Sequence, residues 1–301
     1  MNKKILTLIL LILILLSSVL LWHKNNSTIE IIADYNSFAP QKPAVIFAAY
    51  SADSTVSDYV ISYLKALKEI TPNIIFITDN PIKKSTINKL KPYVTYLEAK
   101  RHGEYDWGSY KRGFDWLIKH HFHGDYLLLT NDSVLLIAKD LKPIVASNPD
   151  KDILGITANT DGTYHLQSYF LRLSKNLYTH PAFQAYLNNV KHEKDGLTVA
   201  YRYEVPFTQY FESLGFTHTA YIDYSTLGYL PLNDKNCYPL TMLSKHHAPF
   251  LKMRTFTNRL NVQEPRRLVF QWLKKHNEQA YKELTAHLKH INSPYLKEDK
   301  Q

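Results

Sequence analysis

Four short segments carry the residue types that do chemistry. Thr130-Asn131-Asp132-Ser133 closes the apolar run Tyr126-Leu127-Leu128-Leu129. A carboxylate at the carboxyl end of a buried strand is placed to hold a divalent cation that bridges a diphosphate. Asp132 would supply the hard oxygen ligand, with Asn131 or Ser133 beside it; the same residues also suit an Asx turn that merely ends a strand. Upstream, Arg101-His102-Gly103-Glu104-Tyr105-Asp106-Trp107-Gly108-Ser109-Tyr110-Lys111-Arg112-Gly113 reads as a turn entering a helix. Asp106 suits an N-cap, Gly103 and Gly108 permit close backbone approach, and Lys111 and Arg112 add positive charge, which together make a seat for phosphate. A capped surface helix with a basic solvated face would have the same composition. In His165-Leu166-Gln167-Ser168-Tyr169-Phe170 the alternation puts His165, Gln167 and Tyr169 on one face, where they would be exposed and hydrogen-bond sugar hydroxyls; a structural histidine among aromatics is the competing reading. Glu204, in Tyr201-Arg202-Tyr203-Glu204-Val205-Pro206-Phe207-Thr208, is a lone carboxylate at a helix start. It would serve as a base for a hydroxyl or simply complement the helix dipole.

These segments need a scaffold, and the chain from residue 43 onward provides its pattern. Ala44 to Ala49 is a short continuous apolar run, expected of a strand buried on both faces, and Asn73 to Thr78 reads as a second strand. Between them Val56, Val60, Ile61, Leu64, Leu67 and Ile70 recur at helical spacing until Thr71-Pro72. A helix over 83–90, a strand over 94–97, a helix over about 107–121 and a strand over 125–130 continue a β-α-β-α rhythm, which predicts an α/β fold with a mainly parallel sheet flanked by helices. In such sheets ligands lie beyond the carboxyl ends of the strands, where the loops carrying Asp106 and Asp132 fall. Beyond 157 the pattern is less regular and aromatic-rich, and 264–292 reads as a pair of amphipathic helices.

Composition narrows the classes further. The 301 residues are 45% hydrophobic and 21% charged, so a packed core is expected. The one cysteine, Cys237, can form no internal disulfide. A net charge of +9 favours anionic neighbours such as a diphosphate or a membrane surface. No zinc finger, RNP-type sequence or basic recognition helix is present, and nucleic acid is not among the expected partners. The run from Ile5 to Trp22 is apolar over about the ~20 residues a spanning helix needs. It is therefore expected to be an uncleaved anchor: residues 1–24 as a single-pass helix in the bacterial inner membrane, 25–42 as linker, 43–294 as one catalytic domain, and 295–301 as a frayed tail. Lys3 and Lys4 favour a cytoplasmic N-terminus.

Taken in order, 103–113, 125–134, 154–157, 165–170 and 203–208 resemble the rhamnan synthesis F family, and so does Ala248-Pro249-Phe250-Leu251-Lys252, like that family's late Pro-Phe-x-Lys element. The resemblance runs from about Val45 to Ile291. It implies a GT-A-like glycosyltransferase of cell-surface polysaccharide or lipopolysaccharide, with a nucleotide-sugar donor and a lipid-linked or polysaccharide acceptor. Under it, Asn131-Asp132-Ser133 stands where an Asp-x-Asp metal motif lies, with Asn in the first acidic position, so that Asp132 is the ligand for Mn or Mg. Tyr50, Gly103, Asp106, Gly108, Ser109, Lys111, Asn131 and Ser133 would surround the donor, with Lys111 neutralising the leaving group. His165, Gln167, Ser168 and Tyr203 would face the acceptor, with Glu204 as base. A non-catalytic, membrane-anchored glycan-binding or assembly protein is the alternative.

Overall fold

A computed structural model of the chain describes residues 27–257 and 260–300, together with Leu11, Ile12, Ile14 and Leu15. The expected anchor over 1–24 lies almost wholly outside the described residues. Among the described residues no helix is long and apolar enough to cross a membrane. Placement as a single-pass inner-membrane protein is therefore corrected, because that placement rested on the spanning helix alone.

The chain builds an eight-stranded sheet from β1 (Ile31–Asp34), β2 (Ala44–Ala49), β3 (Asn73–Thr78), β4 (Tyr96–Ala99), β5 (Tyr126–Asn131), β6 (Ile153–Gly155), β7 (Phe170–Ser174) and β8 (His218–Ala220), in spatial order β8-β6-β7-β5-β2-β3-β4-β1. The centre is parallel, through the pairs β2–β3, β2–β5 and β3–β4. Antiparallel β7 joins β5 to β6, and antiparallel β1 closes the far edge on β4. Residues 31–34, read from sequence as part of a linker, thus supply an edge strand.

Both central strands are buried throughout, and β2 over its whole length and β3 from Ile74 to Ile77 are apolar because both faces are covered. Val45, Phe47 and Ala49 of β2 and Ile74 and Phe76 of β3 face one cluster, while Ala44, Ile46, Ala48, Ile75 and Ile77 face another. Successive strand residues point to opposite faces, so a continuous apolar run fills two layers at once. On the first face lie α1 (Asp58–Lys68), α2 (Lys84–Leu90), α6 (Arg266–His276) and α7 (Glu278–His290); on the second lie α3 (Tyr105–Lys119), α4 (Pro181–Asn188) and α5 (Phe207–Ser213). Helix α3 sits close to β2 because Gly113 has no side chain: a Cβ there would come within 2.5 Å of Ile46 Cγ2. Two short strands, Val134–Leu136 and Phe250–Lys252, pair antiparallel and bring Lys252 opposite Val134. The terminal stretch Pro294–Lys300 is a 3-10 turn packed on α6, with Arg266 over the Tyr295 ring and the Tyr281 hydroxyl donating to Asp299.

Candidate active site

The carboxyl ends of the parallel strands arrive together. Ala49 is paired with Thr78 and Ala48 with Asn131, so Tyr50, Asp79 and Asp132 leave the sheet along one edge. Backbone bonds hold that edge: Asp79 N donates to Ala49 O and Asp132 N to Ala48 O, both at 3.1 Å.

Asp132 is fixed from three sides. Its Oδ2 accepts the Tyr50 N–H at 2.9 Å, and its carbonyl accepts the Tyr59 hydroxyl at 2.8 Å. Burial pushes the carboxyl up to about 7; the Tyr50 N–H opposes that rise and the charge of Asp106 adds to it. Asp106 is close because Asn131 spans the gap. Asn131 Nδ2 donates to Asp106 Oδ2 at 2.7 Å, while its Oδ1 accepts the Ser133 amide at 3.1 Å and the Ser133 hydroxyl at 2.6 Å. The two turns far apart in sequence are thereby joined through one side chain. Burial, then repulsion from Glu204, raises Asp106 to about 6, against the charge of Lys252 and the Asn131 hydrogen bond.

Sequence reasoning placed Asp106 at an N-cap, whereas the helix begins at Tyr105, the cap position is Glu104 and no side chain caps it. Asp106 lies in the first turn and points inward to Asn131. Of the turn expected to offer its N–H groups to a phosphate, the three N–H groups just ahead of the helix are engaged already. His102 N and Gly103 N both donate to Asp79 Oδ1, at 2.6 and 2.7 Å, and Glu104 N donates to His102 Nδ1 at 3.1 Å. Gly103 holds φ at +73° in this turn, a conformation that side chains resist. Gly108 and Ser109 also support the turn: a Cβ on Gly108 would strike the Glu104 side chain at 2.1 Å, and Ser109 Oγ lies 3.1 Å from His102 Nε2. Burial lowers His102 to about 4, so the ring is neutral, accepting at Nδ1 and donating from Nε2. Lys111 is not brought to the carboxylates; its Nζ donates to the Val190 carbonyl at 3.0 Å. Arg112 reaches toward Glu98 and Glu104 instead.

On the other flank, Glu204 ends a π-helical turn, Ala200–Glu204. Its Oε2 accepts the Ser168 N–H at 2.9 Å and the Ser168 hydroxyl, and its Oε1 lies 3.9 Å from His165 Nε2. His165 and Gln167 line one hollow, but the alternation breaks at a turn through Ser168 and Tyr169, and His165, Gln167 and Tyr169 are each only 2% exposed, which corrects the expectation of one exposed face. The reason is a polar layer folded over them. Gln167 Oε1 accepts from Thr157 Oγ1 and Asn236 Nδ2, both at 2.7 Å, and Tyr169 Oη lies 2.8 Å from Thr157 Oγ1. Tyr203 turns its hydroxyl to Glu193 at 2.9 Å and so faces the α4 side rather than Glu204's neighbours.

Lys252 was named in the sequence only as part of the Pro-Phe-x-Lys element. Its strand runs beside Val134, and Met253 N donates to Ser133 O at 2.9 Å, so the lysine is held next to the Asp132 turn. Its Nζ lies 3.9 Å over the Tyr169 ring. Burial pushes the amine down to about 7, Arg254 adds to the fall, and Glu204, Asp234 and Asp106 oppose it. Asp79, which organises the turn before α3, escaped sequence reasoning as well; its one signal was its place just after a buried strand.

Three hollows open here. Tyr50, Ser51, Tyr59, Asp132 and His287 line a small one of about 40 Å³. Asp106, Ser168 and Glu204 share a second of about 90 Å³. Glu204, His165, Gln167, Tyr201, Asp234 and Arg254 line the largest of the three, about 280 Å³. Among the described residues no group of three or more His, Cys, Asp or Glu is placed to hold a metal ion. Asp132 keeps one carboxylate oxygen clear of the Tyr50 bond, and one or two carboxylates plus substrate phosphates are the usual donors to Mg.

No curated protein matches this chain. Similar solved structures include core-mannan synthase A from Aspergillus fumigatus in its Mn/GDP form, at 11% identity over 63% of this chain and 76% of that one, with a TM-score of 0.39. A glycosyltransferase involved in glycosylation of the major capsid of PBCV-1 is 13% identical over 70% of this chain and 94% of that one, with a TM-score of 0.39. The apo form of the glycosyltransferase GlyE from Streptococcus pneumoniae is 12% identical, covering 84% of this chain but only 64% of that protein, with a TM-score of 0.44. These are resemblances of general fold, and no donor, metal or acceptor is carried over from them. The model of the family described as rhamnan synthesis protein F matches residues 74–298, about three quarters of the chain, and takes in every carboxylate of the site. By that match the chain belongs to the rhamnan synthesis protein F family.

Proposed function

We propose that the protein is a glycosyltransferase that moves a sugar from a nucleotide-diphosphate donor to a growing cell-surface polysaccharide or lipopolysaccharide. The observation that carries this reading is the Asp106–Asn131–Asp132 link, which joins two distant turns at the carboxyl edge of a parallel sheet. Family membership supports a transferase acting on polysaccharide.

In this reading the nucleoside lies at the hollow beside Tyr50 and Ser51, and the diphosphate lies toward Asp132. Asp132 would hold a Mn or Mg ion there together with phosphate oxygens. Such an ion, when bound, supplies positive charge to the diphosphate. The acceptor sugar occupies the larger hollow, where His165, Gln167 and Ser168 surround Glu204. Ser168 engages only Glu204 Oε2, which leaves Oε1 to take the acceptor hydroxyl's proton. Tyr203 supports that wall from behind through its bond to Glu193.

Isothermal titration of the full chain against a panel of sugar nucleotides, with and without manganese, tests the donor. Binding of one nucleotide sugar is expected; a chain that binds glycans but none of the panel would be a non-catalytic binder. Asp132→Ala is expected to abolish transfer while leaving the circular dichroism spectrum unchanged, and full activity in that variant would remove Asp132 from the mechanism.

A further inference from the structure

Lys252 is a nearly buried lysine whose Nζ finds no hydrogen-bond acceptor in the protein. The residue is 9% exposed. Among the described residues its Nζ makes no hydrogen bond and no ion pair, and its one short contact is the face of the Tyr169 ring at 3.9 Å. A lysine carries three N–H donors, and Nζ, which is not among the fully buried atoms without a partner, keeps them open toward solvent rather than toward the protein. The neighbouring cation, Arg254, is paired with Asp234 through one terminal nitrogen, while its Nε is left without a partner. Lys111, the cation expected from sequence to face the leaving group, is bound to the Val190 carbonyl. Lys252 also lies beside the hollows, without being one of the residues that line them. Strand pairing sets it opposite Val134, two residues beyond Asp132, and its electrostatic neighbours Asp106 and Glu204 line one hollow together.

We propose that Lys252 is the catalytic cation that binds the donor's diphosphate and stabilises it as it leaves. This assignment rests on the glycosyltransferase reading above. In the step, the bond from the sugar's anomeric carbon to the diphosphate oxygen breaks and its electron pair stays on that oxygen. The acceptor oxygen bonds to the anomeric carbon, and the acceptor proton passes to Glu204. The nucleoside diphosphate thus gains negative charge at the moment of transfer, and a preorganised ammonium in a water-poor site stabilises it. An ammonium already in place needs no partner in the free protein, which accounts for its empty donors.

The test uses the full chain, titrated calorimetrically with UDP, GDP, ADP, CDP and dTDP and with the corresponding nucleosides, on wild type and Lys252→Met. One diphosphate is expected to bind wild type and to bind Lys252→Met about 10- to 100-fold more weakly. Affinity for the parent nucleoside should be unchanged, a readout that a purely structural lysine would not separate. Equal affinity of the two proteins for the diphosphate would overturn the Lys252 assignment and leave the donor reading standing. If no diphosphate binds wild type, the donor reading falls and the assignment falls with it. Should Lys252→Met not fold, wild-type protein is reductively methylated with formaldehyde in the presence and absence of the bound diphosphate. Several-fold protection of Lys252, mapped by peptide mass spectrometry, is expected; equal labelling would overturn the assignment.

Discussion

Asp132 shows what a single carboxylate costs the fold when it is kept for chemistry. An unfolded aspartate releases its proton near 3.8, whereas here burial holds the carboxyl up to about 7. Between those values the folded chain retains a proton that the unfolded chain has lost. The contribution is fully favourable below about pH 4 and disappears as pH rises through 7. Asp132→Asn removes the charge but keeps an acceptor for the Tyr50 N–H. It is expected to raise the melting temperature by about 2–6 °C at pH 8 and to change it little at pH 4, measured by thermal denaturation at both values. A variant that melts lower at pH 8 than wild type would show that the ionised carboxylate is stabilising. This residue was legible in the sequence because an acidic residue followed a strongly apolar strand. Its bond to Tyr50 was not, since the two positions are 82 residues apart.

Among the elements, the turn into α3 decides the geometry, and a residue outside the turn decides the turn. Asp79 follows β3 and accepts two N–H groups on one oxygen, that of Gly103 buried and that of His102 half-buried. Asp79→Ala leaves both donors without a partner and is expected to destabilise the protein by about 2–4 kcal/mol in urea denaturation, since each buried unsatisfied group costs ~1–3 kcal/mol. Asp79→Asn keeps one acceptor oxygen and should lose less; equal losses would mean that charge with Arg101, rather than the two N–H bonds, holds the turn. The glycines at 103 and 108 were recognisable as points of close approach. The N–H groups at 102–104 are taken by the protein's own carboxylate and side chains, so that part of a pattern that reads as a phosphate cradle is a self-satisfied turn. Composition alone cannot separate the two, because both need the same N–H groups and the same missing Cβ.

Across the whole molecule, a late helix packs back beside an early one next to the site. Helix α7 returns to α1: Ser62 donates to Glu283 at 2.5 Å, Ser57 Oγ lies 2.8 Å from His287 Nδ1, and His290 meets Asp53 at 2.5 Å. His287 thereby becomes a wall of the hollow that holds Tyr50 and Asp132. Leu284, fully buried in the same layer, anchors the contact. Leu284→Ala is expected to cost about 2–5 kcal/mol of unfolding free energy by equilibrium denaturation. A loss under ~1 kcal/mol would mean that α7 is only loosely docked.

The sequence by itself determined the α/β class, the central strands Ala44–Ala49 and Asn73–Thr78, the paired C-terminal helices, and the family to which the chain belongs. Those features are local, written in runs and periods of apolar residues or in ordered short blocks. It also suggested a membrane-spanning segment that no described helix supports. Tertiary structure alone decided that Asn131 would bind Asp106, that Lys111 would turn away and Lys252 would come in, and that His165, Gln167 and Tyr169 would be covered. Each of these depends on which strand lies beside which and on where a distant hydrogen-bond partner falls, and strand order leaves no trace in a residue's own neighbours.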